Sequence, residues 1–214
     1  MKNVTRILMI SLAMLVAGTA FTQTTEKEAE KAMKSKAYKQ ARKEAKSLSK
    51  EGYYIAPGAL PMEKQLENAW LKQYMEDDKG YPKYIVETGN SVAETQTAAK
   101  LQAVETAKLN IAGNITTQVA ALIESSIANQ QLNTEEAASL TKTVAAAQNL
   151  IVQELGRTVV LVEMYKKIGK NVEASVRVSY DQVAGVEIAK KVIRKQLEEQ
   201  ADGLQDKLDH IMER

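Results

Sequence analysis

The sequence predicts an α+β fold: a small, mainly antiparallel sheet with helices packed on one face and long helices at the N- and C-terminal ends. Three observations carry this expectation. Val172, Ala174, Val176 and Val178 alternate with Glu173, Ser175, Arg177 and Ser179, the period-two pattern of a strand with one face in the core and one in solvent. Most other apolar residues recur every three or four positions, as along a helix face. The chain has no cysteine, so no disulfide can staple it and its stability must come from a packed core.

The first segment to set aside is the start of the chain. Lys2 and Arg6 precede the apolar run ILMISLAMLVAG (7–18), and Gly18 and Ala20 follow with the spacing of a signal-peptidase site. Residues 1–20 therefore read as a cleaved secretory signal, with Thr22 as a second plausible end. A bilayer-spanning helix takes roughly 20 apolar residues, and this run is shorter. Removing Lys2 and Arg6 takes the formal net charge from +2 to zero, which leaves no electrostatic case for nucleic-acid binding. No cysteine is present to carry a lipid. The expectation is an exported protein, periplasmic or secreted, not lipid-anchored and not membrane-spanning once the signal is gone.

Residues 21–80 are expected to form an N-terminal helical segment with a short strand. Within 24–50, Ala29, Met33, Ala37, Ala41, Ala45 and Leu48 form a narrow stripe of mostly small residues, and the rest of the surface is basic. Basic amphipathic helices can lie on anionic surfaces, but this apolar face lacks bulky anchors. A solvated helix packed on the domain is the expected role. In EGYYIAPGALPMEKQ (51–65), Gly52 suits a helix C-cap and Tyr53–Ala56 an edge strand. Pro57-Gly58 suits a turn, and Pro61 the start of a second helix over 61–78.

Residues 81–182 are expected to form the α+β core. YPKYIVETG (81–89) has strand composition. Ser91 with Glu94 reads as a capping box opening a helix that Gly113-Asn114 would end. In 115–131, Ile115, Val119, Ile123 and Ile127 are spaced by four, which fits a helix stripe or one face of a strand. Asn133 to Glu136 caps another helix that stops at Gly156, and residues 157–167 and 171–181 form a hairpin turning at Gly169. Residues 183–214 read as one long helix. Leu197, Ala201, Leu204, Leu208 and Ile211 form a short coiled-coil-like seam, able to mediate a homodimer or to pack back on the N-terminal helix.

Catalytic material is scarce. With one histidine (His210) and no cysteine, zinc sites and Cys- or His-based nucleophilic catalysis lack ligands and bases, and no phosphate-cradling glycine loop is present. No catalytic, metal or cofactor residues are assigned. The expected interaction surface comprises Tyr53, Tyr54 and Trp70, together with Arg157 and Arg177 on adjacent strands, which read first as solvent-facing residues and alternatively as a pair facing one another to hold an anion. The expected function is a non-enzymatic cell-envelope protein acting through protein or cell-wall contacts. The alternatives are a small-ligand or glycan-binding module with an aromatic-lined concavity, and a carboxylate-based hydrolase.

The order of segments within 83–182 carries a resemblance. AETQTAAKLQAVETAKLNIAGNI leads into ITTQVAALIESSIA, a later helix ends at ELG, and the hairpin TVVLVEMYKK with VEASVRVSYD follows. This resembles the Helicobacter-type membrane-associated lipoprotein domain, related to the N-terminal domain of flagellar-assembly protein T. The resemblance implies an α+β fold, an envelope role without chemistry, and a strand over 115–127. EGYYIAPGALPMEKQLE resembles uncharacterised exported proteins of Bacteroides-type bacteria.

Overall fold

The computed structural model describes residues 27–129, 131–200 and 204–212. The expected signal peptide therefore lies outside the described residues, as do Ala201 and Gly203 of the expected C-terminal helix. Helix α1 covers 27–50 and α2 Met62–Tyr74, followed by strand β1 (Tyr84–Ala93) and helices α3 (Gln96–Ala128) and α4 (Thr134–Glu154). The hairpin β2 (Val159–Ile168) and β3 (Asn171–Asp181) precedes α5 (Gln182–Gln200) and α6 (Gln205–Met212). The sheet is antiparallel with the order β1-β3-β2.

The α+β class and the antiparallel sheet are as expected, but helices cover both faces of the sheet. On one face, Ile85, Ala174, Val176 and Val178 pack on α3, and α4, α5 and α6 complete that core. On the other, Ala41 and Ala45 of α1 and Met62, Leu66 and Ala69 of α2 pack on Val162 and Met164 of β2. The β3 face expected in solvent is therefore covered, with Ser175 and Ser179 buried. Short polar side chains suit that position because they leave room for the α1–α2 layer.

The largest departure is α3. Instead of a helix ending at Gly113 and a strand over 115–127, one helix of 33 residues runs through both, about 50 Å at 1.5 Å per residue. Ala99, Ala103, Ala107, Ile111, Ile115, Val119 and Ile123 make one continuous buried stripe. A strand would bury every second residue, whereas Thr117 and Ala121 are exposed. Thr116 and Thr117, which lean towards strand by propensity, instead donate their hydroxyls to the Gly113 carbonyl at 2.9 and 2.8 Å within the helix.

The start of α3 also differs. Ser91 and Glu94 have capping-box spacing, yet Ser91 pairs with Ala174 and Ala93 with Val172 as the last rungs of β1. Strand pairing outweighs a local cap, and the cap passes to Thr95, whose Oγ1 accepts from Ala98 N at 3.2 Å. The second predicted cap is present: Asn133 and Glu136 bond reciprocally at 2.9 and 3.1 Å.

Small and large residues divide the labour along α3. Its alanine half lies against the sheet, where Gly89 of β1 brings backbone to backbone. A Cβ at Gly89 would stand 2.0 Å from the Ala103 carbonyl oxygen and 2.5 Å from Ala107 N. The isoleucine half continues into the core formed with α4, α5 and α6.

The C-terminal segment is two helices, and both turn inward. Leu197, Leu204, Leu208 and Ile211 are all buried in the main core, so these seam residues offer no surface to a second copy. Their partners are α3, α4 and each other, whereas Ala41 and Ala45 of the N-terminal helix belong to the separate core on the other face of the sheet. No described helix is long and apolar enough to cross a membrane.

Candidate ligand groove at the edge of strand β1

The five residues named from sequence are mostly consumed by the fold. Trp70 donates its indole N–H to Glu44 of α1 at 2.7 Å and stacks on Tyr74, with ring centroids 5.5 Å apart. Arg177 extends from β3 to the same Glu44 at 2.6 Å and lies 5.8 Å from the Trp70 ring centre. Arg157 precedes β2 and is exposed, so the expected pair of arginines on adjacent strands is not formed. Arg177 is not a solvent-facing residue either. It is the pin between the sheet and the α1–α2 layer.

Tyr54 forms the expected edge contact in its shortest form, one antiparallel bridge to Tyr165 on the outer side of β2. Its hydroxyl accepts from Gln96 Nε2 at 2.9 Å. Tyr53 is half-buried with the Lys166 ammonium 5.4 Å from its ring centre. Gly52 and Gly58 have φ of 93° and 81°, the left-handed backbone that their stop and turn positions require.

Tyr165 itself is buried and donates to Glu163 Oε1 at 2.6 Å. Burial first, then the bond to Glu163, holds its phenol well above the ordinary value of 10.0. Burial also raises Tyr53 and Tyr180. Above pH 10 the unfolded chain releases phenolic protons that the folded chain keeps, so stability is full below that pH and declines as pH rises beyond it. Urea unfolding across the alkaline range is expected to show this decline, and Tyr165→Phe is expected to make it shallower. An unchanged slope in Tyr165→Phe would contradict the assignment.

The concave site lies elsewhere. With β3 on its inner side, β1 is an edge strand. A groove of about 960 Å³ wraps the first half of that edge, walled by the 75–83 turn, by α3 and by the start of α5. The turn is held by Asp77, whose Oδ1 accepts from the backbone of Lys79 and Tyr81, both at 2.9 Å. It presents the Tyr81 ring at the rim, 65% exposed. Tyr84 lies below it, its ring capped by the Lys72 ammonium 3.6 Å from the centroid.

Three carboxamides line the groove in series. Gln182 Nε2 donates to Gln118 Oε1 at 2.5 Å, Gln118 Nε2 to Asn114 Oδ1 at 2.6 Å, and Asn114 Nδ2 to Glu87 Oε1 at 3.0 Å. Each bond fixes the next amide, so the row is pre-aligned from α5 across α3 to β1. Each amide retains a second N–H and a further acceptor lone pair. Neutral groups that both donate and accept suit ligands rich in hydroxyls and amides. Sequence reasoning missed this set. Asn114 reads locally as a helix end, Gln118 is one turn further along α3, and Gln182 and Glu87 come from distant segments.

Three carboxylates border the groove: Asp77, Glu87 and Glu187. The first is tied into its turn and the second into the amide row, while Glu187 is exposed on α5. Among the described residues, no group of three or more His, Cys, Asp or Glu is placed to hold a metal ion. Comparison of the chain with protein-family models, curated proteins and solved structures finds no match.

Proposed function

We propose that this is an exported, non-enzymatic cell-envelope protein that works by contact, with the β1-edge groove as its seat for cell-wall glycan. The pre-aligned amide row beside the exposed Tyr81 ring carries this reading. Sugar hydroxyls and N-acetyl groups need neutral partners that donate and accept, and an aromatic face covers a sugar's apolar side. The signal-like start of the chain and the resemblance of 83–182 to an envelope lipoprotein domain support the compartment.

Calorimetric titration with soluble peptidoglycan fragments tests the proposal. Binding is expected, and Tyr81→Ala or Gln118→Ala is expected to weaken it about tenfold, the loss of one or two net contacts. Binding that ignores both variants, or no binding, would remove the groove from consideration. Cleavage of the fragments on prolonged incubation would favour the hydrolase reading, with Glu87 and Glu187 as the residues to replace.

A further inference from the structure

The charge of this chain is segregated. Residues 27–50 carry nine Lys or Arg against three Asp or Glu, a net +6, whereas residues 51–214 carry 18 against 23, a net −5. Nearly all the excess cation therefore sits on α1. Its alanine stripe, Ala37, Ala41 and Ala45, is turned into the protein and fully used. Glu44, the acid of its C-terminal half, is also turned inward to Arg177 and Trp70.

What faces solvent is a row of cations. Lys39, Lys43, Lys46 and Lys50 follow 4-3-4 spacing, with Arg42 beside them, all exposed. They line one wall of an open groove of about 1180 Å³, with Pro61, Met62 and Glu63 at the start of α2 opposite. Glu63 is the one acid in that lining. Two large apolar side chains stand out at this place: Tyr38 in the groove wall, 45% exposed, and Leu60 next to Pro61, 59% exposed.

We propose that this face of α1 docks the protein on a membrane surface rich in anionic phospholipid headgroups. The alanine face gives no insertion anchor, since it is buried in the domain, so adhesion is electrostatic with Tyr38 and Leu60 as shallow contacts. A planar array of phosphates fits a straight row of five cations spread over three turns of helix. The acidic remainder of the molecule is repelled by the same surface, which orients the protein with α1 down and the β1-edge groove free. This second surface is independent of the glycan reading.

The test is co-sedimentation of the protein, without residues 1–20, with vesicles of phosphatidylglycerol and phosphatidylcholine, and with phosphatidylcholine alone. Binding to the anionic vesicles alone is expected, with release at high salt because the Debye length shrinks. Each headgroup-facing cation contributes about fivefold, so Lys39→Gln/Lys43→Gln/Lys46→Gln is expected to lower partitioning about 100-fold. Removing charge at the hairpin turn (Lys167→Gln/Lys170→Gln) is expected to leave it near wild type. Circular dichroism should show both variants folded, since all five positions are exposed. Equal binding to both vesicle types, no vesicle binding, or equal losses in the two variants would overturn the proposal. Binding to soluble polyphosphate without binding to vesicles would also overturn it, and would make the partner a soluble polyanion.

Discussion

Gly89→Ala is expected to cost about 3 kcal/mol or more of folding stability, from a single added methyl. The methyl would meet Ala103 O at 2.0 Å, Ala107 N at 2.5 Å and the Ala103 carbonyl carbon at 3.1 Å. These are backbone atoms of α3, so no rotamer change can relieve the overlap, and α3 and β1 must separate. Separation would open the alanine half of the main core. A domain of ordinary stability has roughly 5–15 kcal/mol in total, so the variant is expected to unfold at a clearly lower urea concentration or to fail to accumulate. Gly80→Ala is the comparison. Its φ of 82° carries strain of about 1 kcal/mol, and nothing lies within 4 Å of the added carbon. Ala103→Gly is expected not to rescue Gly89→Ala, because the contact is with the Ala103 main chain. A Gly89→Ala protein as stable as the Gly80→Ala protein would show that α3 does not sit this close to β1.

Arg177→Met is expected to be the second large effect, about 2–3 kcal/mol. Arg177 and Glu44 are mostly sheltered, with side chains 16% and 25% exposed. Removing the guanidinium leaves a carboxylate under the α1–α2 layer with the Trp70 N–H as its remaining partner. The penalty comes from that stranded charge more than from the lost attraction. Arg177→Met/Glu44→Gln is therefore expected to recover most of the loss, since a neutral amide oxygen still accepts from Trp70. Urea midpoints of the two single variants and the double variant form the required cycle. Simple addition of the single losses would mean that the pair does not act as a unit. In Arg177→Met, protease sites within α1 should open first, because Arg177 ties that helix to the sheet.

The same two positions show how far local pattern reaches. Arg177 sits at a polar position of an alternating strand, and its neighbours alternate as expected. Alternation says that two faces differ, but not that the polar one is wet. Here the covering layer is another part of the chain, whose alanines pack against it, and Glu44 meets an arginine 133 positions away. Gly89 reads as the end of a strand, although it lies mid-strand at the closest point of α3. Gly113 reads as a helix stop and is an ordinary helical residue inside α3. Glycine marks where a side chain is absent, and the reason for the absence is set by whatever lies opposite. The amide row follows the same logic. Asn114 and Gln118 are one turn apart, but only folding brings Glu87 and Gln182 to either side of them.

What the sequence determined by itself is what depends on near neighbours along the chain. The β2–β3 hairpin and its turn at Gly169, the Asn133 capping box, the helical stripes and the jobs of Gly52, Gly58 and Pro61 all follow from contacts within a few residues. The four-residue spacing of Ile115, Val119 and Ile123 was equally legible, but it suited a helix and a strand alike. The tertiary structure decided that ambiguity, because a continuous α3 buries Ala99 through Ile123 on one face while β1 takes Ser91 to Ala93 as its last rungs. It also decided which tyrosines stand free, Tyr38 and Tyr81, and which surfaces remain open for partners. Those outcomes depend on burial against distant segments, whose free energy exceeds the few tenths of a kcal/mol by which local preferences differ.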